Sequence, residues 1–326
     1  MKNKPLRIKP GATIGIINPS FKNPDDAAEK YQYMVDAFAK KGYKLKFGKS
    51  YYAKEGYLAG SDSLRSKDIE EMFLDKEVDA IVCMRGGYGG SRIVDKVDYE
   101  IIKNNPKIFC GFSDVTVFLN SINQKANVPT IHGLVGFQIG SESADQGSQD
   151  DFWYFLENNQ KGRVLKNPND LCKTLIGGKA TGELVGGNLS LLATLAGGEF
   201  DVDFTDKIVF IEEVGEQPYQ IDRYLSSMRL ARSFEKAKGF VFGYFTDCGV
   251  PDSKKGTQTR MDIIKDYVMS LNKPTIYDFA CGHSFPFVNL PIGVEVELDA
   301  DNKTITIKEE FYKEWKQLKE QAFQEM

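Results

Sequence analysis

The chain is poor in the side chains that hold metals and disulfides. Among 326 residues there are two histidines, His132 and His283, and five cysteines, Cys83, Cys110, Cys172, Cys248 and Cys281, none spaced as CxxC. With no dense Cys/His cluster, a structural zinc site is not expected. The odd cysteine count, with Cys83 and Cys110 inside apolar strand-like runs, argues against a disulfide framework and predicts reduced thiols. No window approaches about 18 uninterrupted apolar residues, so no membrane-spanning helix is expected. The basic stretch Met1–Pro10 is followed only by the short apolar run Thr13–Ile17, too brief for a secretory h-region, and a cytoplasmic protein is expected. Charge blocks are missing as well. Against 46 acidic residues stand 42 basic ones, a net charge of −4 spread along the chain, which leaves no footprint for a nucleic-acid backbone or an anionic membrane. Small-molecule or peptide chemistry fits better.

What is present is an ordinary globular composition, 41% hydrophobic and 27% charged, far from that of disordered chains. The length suggests two domains. In the first half, apolar strand-like runs at Thr13–Ile17, Tyr43–Phe47, Asp79–Met84 and Lys107–Gly111 alternate with helical patterns, one capped by Ser61 or Asp62 and one from Asp114 to about Asn123. Strands apolar on both faces, in β-α order, predict an α/β domain with a parallel sheet covered by helices, whose site lies at the strands' carboxyl ends. From about Ser141 to Lys179 the pattern loosens around one helix, Asp151–Glu157, and the domain boundary is placed there. The second half reads as a smaller α+β, barrel-like domain. It has a glycine turn at Gly186-Gly187-Asn188, strands at Lys207–Ile211, Gly239–Tyr244 and Thr275–Phe279, and a hairpin from Val294 to Ile307. The expected division is 1–160, a linker at 161–179, a second domain at 180–310, and a terminal helix over 311–326 carrying the stripe Phe311, Trp315, Leu318 and Ala322.

Two nucleotide motifs fail on inspection. Gly42 to Ser50 has five residues between its glycines where a P-loop needs four, and GxGxxG breaks because Arg92 stands where its last glycine belongs. A third pattern is more productive. In Lys107-Ile-Phe-Cys-Gly111-Phe112-Ser113-Asp114 a serine sits between an apolar strand and a helix, the context of a nucleophile elbow. A sharp turn lifts Oγ out of the sheet, and the helix N-terminus offers a backbone N–H and positive dipole to a developing oxyanion. Helix capping by Ser113 or Asp114 is the competing explanation. Two histidines are available as base: His132 after Pro129-Thr130-Ile131, and His283 in Cys281-Gly282-His283. The run Ile208-Val-Phe-Ile-Glu212-Glu213 puts adjacent carboxylates after a buried strand, where an ionised acid needs a partner. Alternation points the two to opposite faces, so only one can orient a histidine. Ser113, Glu212 and His283 together follow the order serine, acid, histidine.

At these residues the chain resembles the serine LD-carboxypeptidase family, the muramoyltetrapeptide carboxypeptidases, which includes the microcin C self-immunity peptidases. The matching stretches are Leu58-Ala-Gly-Ser-Asp62 with Arg65, Met84-Arg85-Gly86-Gly87-Tyr88-Gly89, Gly111-Phe-Ser113-Asp114, Gly186-Gly187-Asn188-Leu189-Ser190, Phe210-Ile-Glu212-Glu213 through Asp222-Arg223, and Gly282-His283. The resemblance implies Ser113 as nucleophile, Glu212 as acid and His283 as base, assembled across a cleft between a flavodoxin-like N-terminal domain and a smaller C-terminal one. It also implies a homodimer acting on a cell-wall tetrapeptide with release of a terminal D-alanine. The alternatives are a peptidase of aminoacyl- or peptidyl-nucleotide conjugates and a non-catalytic muropeptide-binding module. With so few histidines, none clustered, neither metal nor cofactor is expected. Gly87 N–H and Asp114 N–H are the expected oxyanion donors. Arg85, Gly86 and Tyr88 are expected beside the substrate, at the end of a strand where small residues let a ligand approach the backbone.

Overall fold

A computed structural model describes residues 2–231, 234–249 and 258–313. Its first sheet is built from β1 (Thr13–Ile17), β2 (Lys44–Phe47), β3 (Ala80–Cys83), β4 (Ile108–Gly111) and β5 (Thr130–His132), all parallel, with β12 (Leu290–Ile292) antiparallel at one edge. The order β12-β5-β4-β3-β1-β2 contains the doubly wound 2-1-3-4-5 arrangement, whose crevice opens where connections reverse, between β1 and β3. Burial follows position. The central strands β3 and β4 are buried along their whole length, whereas edge strand β2 is buried nowhere. The run Gly42 to Ser50 thus carries an edge strand and no phosphate loop.

Among the described residues the second sheet has eight strands: β6 (Val164–Lys166), β7 (Lys173–Ile176), β8 (Lys179–Asn188), β9 (Ile208–Val214), β10 (Gly239–Thr246), β11 (Thr275–Tyr277), β13 (Glu295–Asp299) and β14 (Thr304–Ile307). They lie in the order β6-β14-β13-β8-β9-β10-β11-β7. Strands β8 to β11 are parallel, and the flanking pairs are antiparallel.

Three details differ from the sequence reading. Segment 161–179, expected as a linker, supplies both edge strands of the second sheet, β6 and β7. These are short and largely exposed, so they lack the apolar signature of buried strands. Gly186-Gly187 is not a turn but the end of β8. At φ +124° a Cβ on Gly186 would lie 1.9 Å from the Phe210 carbonyl oxygen, so the glycine permits backbone contact with β9. Finally, β12 crosses from the second half into the first sheet, pairing Leu290 with His132. Most of the expected terminal helix lies outside the described residues. Its start is anchored: Phe311 is buried against Phe155, and the Tyr312 hydroxyl donates to the Phe155 carbonyl at 2.6 Å. All five cysteines are buried and free.

Candidate active site

Strand β4 ends at Gly111, and the chain turns at once into a short 3₁₀ turn, Ser113–Val115, that leads into the helix Thr116–Ser121. Ser113 sits at the bend with φ +64°, a left-handed conformation that costs a non-glycine residue about 1–2 kcal/mol. Its partly exposed side chain is thereby lifted off the strand end. Two glycines make room for the bend. A Cβ on Gly111 would fall 2.9 Å from Val115, and one on Gly86 would fall 2.9 Å from Ser113 Cβ and 3.1 Å from its Oγ.

Opposite stands His283, 170 positions away in the chain, with Nε2 at 2.9 Å from Ser113 Oγ. Its Nδ1 is 2.7 Å from Glu212 Oε2. A carboxylate only accepts hydrogen bonds, so Nδ1 carries the proton and donates it, leaving Nε2 free to accept the serine hydroxyl. Glu212 is wholly buried. Gly282 lets the two elements meet, since a Cβ there would lie 2.9 Å from Glu212 Oε2. The imidazole is packed on the Phe112 ring, centroids 4.9 Å apart. Burial drives the His283 pKa down, but the adjacent Glu212 charge and hydrogen bond outweigh it and leave it above the ordinary histidine value.

The two neighbouring acids on β9 separate as strand alternation requires. Glu213 turns away from the histidine and accepts from Asn188 Nδ2, Ser190 N–H and Val214 N–H at 2.8–2.9 Å. Burial pushes its carboxyl up to about 7. It ties the end of β9 to the helix that follows β8. His132 does not join the chain of hydrogen bonds. It is completely buried, stacked on Phe287 at 5.7 Å and edge-on to Phe210 at 4.8 Å. Desolvation lowers its pKa to about 4, so it is neutral.

The loop after β3 closes the other side. Gly86 lies against Ser113, and its Cβ position is 3.3 Å from Asp114 N. Gly87 is exposed at φ +115° and packs on the Phe21 ring, Tyr88 is exposed, and Arg85 Nη1 donates to the Lys22 carbonyl at 3.1 Å. Asp114 has a second part that sequence reasoning missed. Its buried side chain accepts from Ser20 Oγ at 2.5 Å and Gly90 N–H at 2.7 Å, pinning the loop behind the serine. Burial raises its carboxyl, and these hydrogen bonds pull against that rise. Ser20, in Asn18-Pro19-Ser20 just after β1, carried no signal beyond its place past a strand's carboxyl end. Among the described residues no group of three His, Cys, Asp or Glu side chains could hold a metal ion.

A doubly wound sheet presenting a strained serine to a partly exposed histidine backed by a buried carboxylate defines the architecture of a serine hydrolase. Comparison with known proteins narrows this. Residues 14–133 match the LD-carboxypeptidase N-terminal domain and residues 181–298 the LD-carboxypeptidase C-terminal domain. A probable murein peptide carboxypeptidase of Bacillus subtilis is 34% identical over 306 residues, covering 94% of each chain. The chain belongs to the LD-carboxypeptidase family. Its fold is shared by MccF bound to glutamyl sulfamoyl guanosine (TM-score 0.87, 24% identity, 95% and 99% covered). Muramoyltetrapeptide carboxypeptidase from Oxalobacter formigenes shares it too (TM-score 0.76, 23% identity, 90% and 97% covered).

Proposed function

We propose that this protein is a serine LD-carboxypeptidase that hydrolyses the L,D-peptide bond before the terminal D-alanine of a cell-wall tetrapeptide. The observation that carries this reading is the unbroken chain from Ser113 Oγ through His283 to Glu212, at 2.9 and 2.7 Å. His283 Nε2 takes the hydroxyl proton as Oγ attacks the scissile carbonyl carbon. The resulting oxyanion is held by backbone N–H groups of Gly87 and Asp114. Collapse breaks the C–N bond, His283 passes its proton to the leaving amine, and D-alanine departs. Water, deprotonated by the same imidazole, then releases the acyl group from Ser113. Glu212 fixes the tautomer and stabilises the imidazolium. Arg85, Gly86 and Tyr88 line the substrate's approach, and no metal or cofactor takes part.

In this reading residues 1–160 supply the nucleophile and 180–310 the acid and base. The protein works as a homodimer on a small peptide in the cytoplasm; the buried free thiols support that location. No described helix is long and apolar enough to cross a membrane.

A second reading, hydrolysis of an aminoacyl-nucleotide conjugate, draws on the similarity to the microcin C7 self-immunity protein MccF of Escherichia coli, 26% identical over 95% of this chain and 98% of that one. One experiment separates the two. Purified protein is incubated with a muropeptide mixture and with an aminoacyl sulfamoyl nucleoside, and products are read by mass spectrometry. Loss of a single alanine from tetrapeptides is the expected result. Cleavage of the nucleoside conjugate alone would transfer the assignment to the second reading.

A further inference from the structure

Three aromatic side chains on three different loops meet at the carboxyl end of the first sheet. Phe21 follows β1, Tyr57 follows the turn of helix after β2, and Tyr88 follows β3. The Phe21 and Tyr57 centroids are 5.8 Å apart at 69°, and Tyr57 and Tyr88 are 5.9 Å apart at 56°. Both tyrosines face solvent, Tyr57 55% exposed and Tyr88 45%. A patch of rings left open to water is a candidate ligand surface when it is contiguous with a site and rigidly held.

Both conditions are met. The patch is continuous with the nucleophile through two glycines: Gly87 packs on the Phe21 ring, and Gly86 packs on Ser113. It is held by one wholly buried guanidinium. Arg65 donates to the carbonyls of Pro19 at 2.6 Å, Gly60 at 3.3 Å and Gly89 at 2.8 Å, one from each ring-bearing loop. The first two loops are also paired directly, Lys22 N–H to the Tyr57 carbonyl at 3.0 Å and Ala59 N–H to that of Ser20 at 3.1 Å. Arg65 Nη2 also pairs with Asp62 Oδ1 at 2.6 Å, and a buried arginine satisfied by one carboxylate and three carbonyls is costly to assemble and fixes the geometry of what surrounds it.

The angles select the occupant. Rings at 56° and 69° form a corner, whereas a flat base stacks best on a parallel face or between two of them. A puckered saccharide suits a corner: its axial C–H groups lie on one ring while its hydroxyls reach the phenol oxygens at the rim. In a muramoyl tetrapeptide three residues separate the scissile carbonyl from the amino-sugar's lactyl group, a reach of about 10 Å, so the sugar sits away from Ser113, and the tyrosines stand past Gly86, Gly87 and Phe21 from the serine. We propose that Phe21, Tyr57 and Tyr88 form a saccharide subsite that holds the amino-sugar ring of a muramoyl peptide while its carboxyl end lies at Ser113. The inference rests on the carboxypeptidase reading above, and it makes the sugar a determinant of substrate choice.

The test compares muramoyl tetrapeptide with the free tetrapeptide of the same sequence. The expected result is that Tyr57→Ala and Tyr88→Ala each lower the ratio of kcat/KM for the sugar-bearing over the free peptide by about three- to tenfold. Their melting temperatures should match the parent. An unchanged ratio overturns the subsite. A binding measurement separates this from failure of the reaction assignment. Ser113→Ala protein, titrated by calorimetry with the same two peptides, should prefer the muramoyl form, and adding Tyr57→Ala should remove the preference. Equal binding of both peptides overturns the subsite whether or not the parent turns them over. Turnover of neither peptide with the binding preference intact overturns the reaction and keeps the subsite.

Discussion

His283 Nε2 and Ser113 Oγ stand 2.9 Å apart, although one follows β11 of the second sheet and the other follows β4 of the first. The contact joins two sheets whose strands interleave in the chain, because β12, only a few residues beyond His283, pairs with β5 beside the serine's own strand. His283 is therefore carried on a segment that is hydrogen-bonded into the sheet of Ser113. In the proposed mechanism, small changes in how the sheets seat change the catalytic geometry, for which about 1 Å costs on the order of 100-fold in rate.

The strained serine gives the first prediction. At φ +64° glycine is unpenalised, so Ser113→Gly should raise stability by about 1 kcal/mol, while Ser113→Ala, which keeps a Cβ, should leave it nearly unchanged. Both should lose almost all turnover. Thermal unfolding of the two variants checks the backbone term, and substantial residual hydrolysis in either would sink the serine mechanism.

The pH–rate profile reads the His283–Glu212 pair. In the proposed mechanism His283 must be neutral to act as base, and its pKa lies above the ordinary value of about 6.5, so the rising limb of kcat/KM should be displaced to higher pH. Glu212→Gln removes the charge but keeps the burial. The limb should then move to lower pH and the rate fall by about 10⁴. A limb that stays in place in Glu212→Gln would mean that another acid orients the histidine.

Gly86 is the place to test the wall of the site. An added methyl would sit 2.9 Å from Ser113 Cβ and 3.3 Å from Asp114 N, so Gly86→Ala should displace the nucleophile and the amide beside it. We expect kcat to drop by about 100-fold with KM changed far less. A crystal structure of the variant with Ser113 unmoved, or an unchanged kcat, would count against this loop as part of the catalytic wall.

His132 should report on stability and not on the base. Its folded pKa of about 4 lies below the unfolded value near 6.5. Between these values the unfolded chain binds a proton that the folded protein does not, so stability rises with pH across this window and is lost as pH falls through it, at up to about 1.4 kcal/mol per pH unit. His132→Phe fits among Phe112, Phe210 and Phe287 and removes the effect. The variant should gain on the parent as pH falls from 6.5 to 4 in denaturant melts, while keeping the limb of the rate profile. Loss of that limb in His132→Phe would reverse the base assignment.

Much of the local structure was legible in the chain. Thr13–Ile17 is β1 residue for residue, Ser61 caps the helix Asp62–Leu74 by accepting from Leu64 N–H at 3.2 Å, and Ser113 stands at a strand-to-helix bend. These features depend on near neighbours: apolar runs long enough to be buried, a short polar side chain before a helix, a glycine two residues ahead of a serine. The alternation of Glu212 and Glu213 was equally local, but which of them meets a histidine was not, because side-chain period says only that they diverge.

Everything that makes the site a site depends on residues far apart in sequence. The family resemblance already pointed to His283, but the physical difference from His132 is tertiary: the second sheet seats Glu212 beside His283, while Phe112, Phe210 and Phe287, drawn from both halves of the chain, enclose His132. Arg65 was named only as part of a matching stretch, and its role in joining three loops through one guanidinium is tertiary; Ser20 was mute until Asp114 reached it across 94 positions. The exposed edge strands β6 and β7 were invisible because short, half-solvated strands carry almost no hydrophobic period. Local chemistry determined which elements could form and which side chains could react; only the packing of one sheet against another decided which of them share a hydrogen bond, since such contacts are selected by burial and pairing over the whole chain and leave no mark on the residues next door.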